Sequence, residues 1–271
     1  MAGTAVLGRL TWEAAEVAEV VDETPRVRSL VLDVSGWAGH RAGQHLDVRL
    51  TAEDGYQAQR SYSIASPPGE PPTITVERLE DGEVSPYLVG EARTGDRFEI
   101  RGPIGGWFVW KARSASSAQR TRGGGPGEPG GSTGEYDAAP LLLVAGGSGI
   151  VPLMAMIRHR ASAGDATPTR LVYSSRTLED VIYREELDEL AQRGDGLEAF
   201  LTLTREKPAG WSGYTRRVDR ALLDETAWPP AQRPHVFICG STGFVEAAAS
   251  ALVDLGHDPA RIKTERFGAT G

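Results

Sequence analysis

The hydrophobic rhythm of the chain changes about half-way along. From Glu16 to about Ile100, apolar and polar positions alternate over short segments separated by turn residues: VRSLVLDV (Val27 to Val34), QHLDVRL (Gln44 to Leu50), RSYSIAS (Arg60 to Ser66) and TITVERL (Thr73 to Leu79). Alternation with a period of two buries one face of each strand and wets the other, which predicts an antiparallel barrel rather than a parallel sheet. The segment SPYLVGEA (Ser85 to Ala92) breaks the alternation and predicts one short helix with Ser85 as its cap. DRFEIRGP (Asp96 to Pro103) then adds a strand that runs into the loop ending at Trp107.

The second half has continuous apolar runs instead: LLLVA (Leu141 to Ala145), TRLVYSS (Thr169 to Ser175), EAFLTLT (Glu198 to Thr204) and HVFICG (His235 to Gly240). They alternate with the helical stretches PLMAMIRHRASA, YREELDELAQR and FVEAAASALVDLG. Strands buried on both faces and separated by helices predict a doubly wound parallel sheet, whose ligands bind at the carboxyl ends of the strands. Two glycine-rich turns, Gly146 to Pro152 and Cys239 to Phe244, fall at such ends. Between the halves, Ser114 to Ala139 is dense in glycine, serine and proline and carries almost no apolar side chain, so a flexible linker is expected there. The expected division is β followed by α/β: a six-stranded antiparallel β-barrel domain over 1–112, a linker over 113–139 and a parallel-sheet domain over 140–271.

Composition narrows the function. A net charge of −8 and a pI near 5.3 argue against nucleic acid as the main partner. One cysteine, Cys239, cannot by itself build a disulfide framework or an iron–sulfur centre, and the five histidines lack ligand-like spacing, so no metal is expected. The N-terminus lacks the basic start and apolar core of a signal peptide, and no apolar run approaches the roughly 20 residues that cross a bilayer. A soluble, cytoplasmic protein without membrane insertion is expected.

The candidate chemistry starts at Arg60-Ser61-Tyr62-Ser63. In a strand, Arg60 and Tyr62 share one face, where a guanidinium suits phosphate oxygens and an aromatic face suits a flat ring. Downstream, Gly82-Glu83-Val84-Ser85 opens the short helix, where backbone N–H groups attract an anion. Gly146-Gly147-Ser148-Gly149-Ile150-Val151-Pro152 follows a buried strand, and its glycines allow main-chain amides to approach a pyrophosphate. Ser175 and Arg176, with Arg205 of LTRE, offer hydroxyl and cation at strand ends, a combination that suits a phosphate. The last motifs are Cys239-Gly240-Ser241-Thr242 and, near the end, Glu265 and Phe267.

In this order and spacing the stretches resemble the ferredoxin-NADP reductase superfamily, flavoproteins with an FAD barrel domain and an NAD(P)-binding domain, here without an iron–sulfur domain. The resemblance covers about Val17 to Gly271 apart from the glycine-rich insertion. It implies that Arg60 pairs with the FAD pyrophosphate, Tyr62 lies against the isoalloxazine and Ser63 offers a hydrogen bond near N5. It further implies a second phosphate contact at Val84 and Ser85, and Phe267 on the flavin face opposite Tyr62. NAD(P) is expected on Gly147, Ser148, Gly149, Ile150, Ser175, Arg176, Arg205, Cys239, Gly240 and Thr242, with NADPH favoured over NADH by the two arginines. Ser63, Cys239 and Glu265 would be the catalytic set. The chain departs from the family pattern at Val151, where threonine is usual, at Ser241, where proline is usual, and in the tail beyond Phe267.

The implied activity is transfer of hydride from NAD(P)H to flavin N5, followed by release of electrons to a separate redox protein such as ferredoxin, an oxygenase component or a molybdenum or haem enzyme. Two alternatives stand beside it: a diaphorase-type reductase of small acceptors or free flavin, and a dinucleotide-binding regulatory module without turnover. A monomer is expected.

Overall fold

A computed structural model of the chain describes residues 10–113 and 139–267, so the expected linker lies almost wholly outside the described residues. The amino-terminal half holds β1 (Glu13–Thr24), β2 (Val27–Asp33), β3 (His45–Thr51), β4 (Gln57–Ser63), β5 (Thr73–Glu77), helix α1 (Ser85–Gly90) and β6 (Arg97–Ile104). The six strands form one sheet in the order β4-β3-β6-β1-β2-β5, every pair antiparallel. Its two edges approach at a single bridge, Ile64 to Ile74, which curls the sheet into a half-barrel. The concave face is filled by the inward residues that the alternation predicts, among them Leu30, Leu32, Leu46, Val48, Ile74 and Val76.

Strand β1 escapes the period-two reading because its register slips twice, between Val17 and Glu19 and between Asp22 and Thr24. Each slip puts an extra residue into the strand and moves the apolar positions out of step. Ser85 does not cap α1. The capping position is Val84, with no side-chain hydrogen bond, while the Ser85 hydroxyl accepts the N–H of Leu79 at 3.0 Å and ties the helix to the end of β5.

The carboxyl-terminal half runs β7 (Leu141–Gly146), a 3₁₀ turn (Gly147–Gly149), α2 (Ile150–Ser162), β8 (Thr169–Ser175), α3 (Arg184–Gln192) and β9 (Leu197–Leu203). It continues with α4 (Arg220–Thr226), β10 (His235–Ser241), α5 (Thr242–Asp254) and β11 (Ile262–Phe267). The strands lie in the order β11-β10-β7-β8-β9, all parallel. Alternate residues of β7 serve opposite faces: Leu141, Leu143 and Ala145 meet α2 and α3, whereas Leu142 and Val144 meet α4 and α5. Helix α2 begins at Ile150, with Pro152 inside its first turn. The seven-residue α4, unseen in the apolar pattern, is announced by Asp219, whose side chain accepts the N–H of Leu222.

The halves share an apolar boundary. Ala42, Ala65, Phe108 and Trp110 from the barrel side join the same buried cluster as Met154, Met156 and Ile157 of α2. Phe108 meets Phe237 of β10 edge to face, with centroids 5.3 Å apart. Among the described residues, no helix is long and apolar enough to cross a membrane.

Candidate functional site

Antiparallel register between β3 and β4 sets His45 opposite Ser63, Leu46 opposite Tyr62 and Val48 opposite Arg60. Arg60 lies at the surface, where it pairs with Glu83 at 3.1 Å and donates to the Gln59 carbonyl at 2.7 Å. Glu83 also accepts a 2.6 Å hydrogen bond from Tyr56. The guanidinium that suits a phosphate is therefore held in place by a carboxylate that an incoming phosphate would displace. Tyr62 is half-buried against the barrel core, and burial pushes its hydroxyl well up, only partly offset by Arg60. Val84 and Ser85 are buried, so a phosphate contact from this turn falls to main-chain N–H groups.

The glycines of the second half divide into two kinds. A Cβ on Gly149 would lie 2.1 Å from the carbonyl oxygen of Cys239, and Cβ atoms on Gly146 and Gly240 would lie 2.9 and 2.6 Å from the ring of Phe244. These three are glycine so that the two turns can pack against each other around Phe244, which the sequence reading passed over. Gly147 differs: its φ is +55° and nothing stands within 4 Å of its Cβ position, so this glycine serves the turn and leaves its face open. Ser148 is half-buried beside it, while the Ile150 side chain is wholly in the core.

At the carboxyl ends of β8 and β9, the Arg205 N–H donates to the Arg176 carbonyl at 2.9 Å, which brings the two exposed arginines side by side. Ser175 is buried next to them. At the neighbouring end of β10, Ser241 and Thr242 are exposed at the start of α5, and Gly240 is buried.

The decisive arrangement crosses the boundary between the halves. Cys239 of β10 sits directly beside Glu265 of β11. The Glu265 carboxylate reaches the barrel, its Oε1 lying 4.0 Å from His45 Nδ1, while its Oε2 is buried and has no hydrogen-bond partner. Ser63, His45, Glu265 and Cys239 thus form a contiguous set, half from each sheet. Burial raises the Glu265 carboxyl to about 7. Burial also lowers His45, against the pull of Asp47, and burial and the Glu265 carboxylate together raise the Cys239 thiol well above its usual range. Burial thus favours an uncharged imidazole and a neutral thiol, beside a carboxyl that can exchange its proton close to neutral pH.

His45 was missed in the sequence reading. Its signal is register: aligning QHLDVRL antiparallel to QAQRSYS about the turn at Asp54-Gly55 puts it opposite Ser63. Phe267 ends β11 opposite Ser241 and is 39% exposed, and Trp107 on the facing barrel loop is 65% exposed. A half-buried tyrosine, two exposed aromatics, an orphaned carboxylate oxygen and an open glycine turn fit flat heterocycles carrying phosphates. A separate cleft of about 470 Å³ includes Tyr56, Glu83 and Tyr87 in its lining but none of Ser63, Cys239 and Glu265. Ser63, His45, Glu265 and Cys239 converge at the boundary between the halves and not at this cleft.

Comparison with known proteins agrees with this layout. The oxidoreductase FAD-binding domain matches residues 15–109 and the oxidoreductase NAD-binding domain residues 143–250. The structure superposes on the flavohem-like FAD/NAD binding domain of nitric oxide dioxygenase from Vibrio cholerae with a TM-score of 0.77, over 94% of this chain and 98% of that one, at 22% identity. The chain is 29% identical over 258 residues to the glycine betaine monooxygenase reductase subunit of Chromohalobacter salexigens, covering 93% of this chain but only 63% of that relative's length. It is 34% identical over 233 residues to ferredoxin–NADP reductase B of Sorangium cellulosum, covering 83% of this chain and 84% of that one. With identity of that degree spread over most of both chains, and both halves matched in order, the protein belongs to the ferredoxin-NADP reductase superfamily.

Proposed function

We propose that the protein is an FAD-dependent NAD(P)H oxidoreductase that supplies electrons to a separate acceptor protein. The observation that carries this reading is the cross-boundary set of Ser63, His45, Glu265 and Cys239, because it joins the flavin side to the nicotinamide side at one point. The relatives support it: those named above are a ferredoxin–NADP reductase and the reductase subunit of a monooxygenase. The domain division is 1–112, 113–139 and 140–271, in a cytoplasmic monomer.

FAD, when bound, supplies the two-electron chemistry that takes reducing equivalents from NAD(P)H and releases them to the acceptor. The chain's own residues bind and orient. Arg60, now paired with Glu83, would hold the FAD phosphates, the main chain at Val84 and Ser85 would add a second contact, and Tyr62 and Phe267 would provide aromatic faces for the flavin. Gly147, Ser148 and Gly149 would present main-chain amides to the coenzyme pyrophosphate, with Ile150, whose own N–H is bonded to the Gly147 and Ser148 carbonyls, closing the turn behind them, and Cys239, Gly240 and Thr242 would line the nicotinamide end. Ser175, Arg176 and Arg205 favour the 2'-phosphate of NADPH over the free hydroxyl of NADH.

Ser63 offers a hydroxyl at the reacting edge. Glu265, its carboxyl raised to about 7 by burial, would take up and release a proton close to neutral pH. Cys239, kept as a neutral thiol, acts by shape and not as a nucleophile.

The test is reduction of a protein acceptor. With NADPH in excess, a ferredoxin or an iron–sulfur oxygenase component is expected to be reduced, followed at its visible band, and Arg176→Ala with Arg205→Ala should weaken NADPH binding more than NADH binding. Fast reduction of dyes with no transfer to any such protein would shift the reading to a small-acceptor reductase.

A further inference from the structure

Away from the reacting cluster, a second polar network crosses between the halves, and the chemistry described so far does not use it. Arg158, on α2, donates from Nε and Nη2 to both oxygens of Glu186 on α3, at 2.9 and 2.6 Å. Its third nitrogen, Nη1, donates across the boundary to the carbonyl of Ala65 at 2.8 Å. Ala65 lies two residues beyond Ser63, on the segment that leaves the flavin strand, and its own N–H is bonded to the Thr73 carbonyl at 2.7 Å. One guanidinium therefore holds both α3 and the end of β4.

Tyr183 makes the second crossing. It precedes α3 in a left-handed conformation, φ +58° and ψ +29°, which is strained for a bulky side chain. That conformation directs the buried ring beneath Arg158, whose guanidinium carbon is 4.7 Å from the ring centroid. The Tyr183 hydroxyl donates to Thr75 Oγ1 of β5 in the barrel. Thr75 and Ser29 share a 2.7 Å hydrogen bond, and Ser29 donates to Glu23 Oε1 at 2.5 Å, so the chain of donors ends on a carboxylate of β1.

Helix α2 joins this network to the coenzyme side. It springs from the Gly147–Gly149 turn and carries Arg158 about two turns further on, roughly 12 Å at 1.5 Å per residue. One rigid helix thus has a coenzyme turn at its start and a grip on the flavin strand along its length.

We propose that Arg158 and Tyr183 are positioning residues that set the spacing between the flavin strand β4 and the glycine turn before α2, and so the approach of the two reacting rings. The proposal rests on the oxidoreductase reading above for its consequence, but not for the existence of the clasp. Transfer between rings depends steeply on their separation, and loosening a clasp leaves each ring bound while misplacing one relative to the other. The expected signature is a lower limiting rate with little change in coenzyme affinity.

The test uses the full chain with its bound flavin and three variants, Tyr183→Phe, Arg158→Lys and Thr75→Val. Thr75→Val removes the same crossing bond from the barrel side, so it decides the matter should Tyr183→Phe fail to fold. Hydrogen–deuterium exchange, run without coenzyme, is expected to quicken in the segments around Ala65–Thr75 and Tyr183–Leu187 while the β7 and β8 amides stay protected. In anaerobic stopped-flow reduction, the limiting rate per bound flavin is expected to fall about tenfold, with the dissociation constant of NADPH within about twofold of the parent. Unchanged exchange in those segments, or an unchanged limiting rate per bound flavin, would overturn the proposal. So would a loss of rate explained wholly by lost flavin. If the parent flavin is reduced by neither coenzyme, it is the oxidoreductase reading that fails, and the exchange experiment still decides whether the clasp exists.

Discussion

Glu265 is a carboxylic acid held far from its ordinary chemistry. It is drawn out of water between two sheets, one of its oxygens lacks a partner, and the nearest candidate cation, His45, is kept neutral by its own burial. Its carboxyl is raised from 4.5 to about 7, so the folded protein keeps the proton in a range where the unfolded chain has lost it. The corresponding stability is complete below pH 4.5 and is lost as pH rises through about 7. Glu265→Gln is therefore expected to be more stable than the parent by about 3 kcal/mol at about pH 8, with the gap closing in acid. Thermal unfolding across pH checks this, and a gap that does not change with pH would exclude burial of the charge as its cause. Cys239, 2% exposed and held as a thiol, is expected to resist thiol reagents in the folded protein and to label only on unfolding. Rapid labelling of the native protein would contradict the packing of β10 against the Gly149 turn.

At the scale of elements, two glycines of the turn before α2 make the clearest prediction because they look alike in sequence and differ in their surroundings. Gly149→Ala drives a methyl group into the Cys239 carbonyl and is expected to cost about 3 kcal/mol or more, since main chain on one side must move. Gly147→Ala meets open space and is expected to cost about 1 kcal/mol, from its positive φ alone. Denaturant midpoints of the two variants should order accordingly. The same contrast shows what a sequence can and cannot reveal. Strands β7 to β10 were legible because burial on both faces leaves apolar runs, and β2 to β6 because alternation marks a one-sided strand, whereas the edge strand β11, IKTERF, carries no such run. Strand β1 was not singled out, since its bulges destroy the period, and α4 is too short to show one. The Arg60–Ser63 strand and the Cys239 and Glu265 strands were readable as motifs. Their meeting through His45, the inward turn of Ser85 and the role of Phe244 depend on register and packing between distant segments, which no local pattern carries.

For the whole molecule, the account is one of orientation: a curled barrel sheet holds one ring, a parallel sheet holds the other, and an apolar boundary with two polar crossings fixes them together. The parts given to Ser63, Glu265, Arg158 and Tyr183 in electron transfer depend on the two rings meeting at that boundary. The direct measurement is an anaerobic titration of the purified protein with NADPH and then NADH, watching the visible absorption of bound flavin. The account predicts a yellow protein that bleaches on stoichiometric addition of coenzyme, with NADPH the more effective. A protein that binds no flavin, or one that stays yellow with both coenzymes, would contradict it.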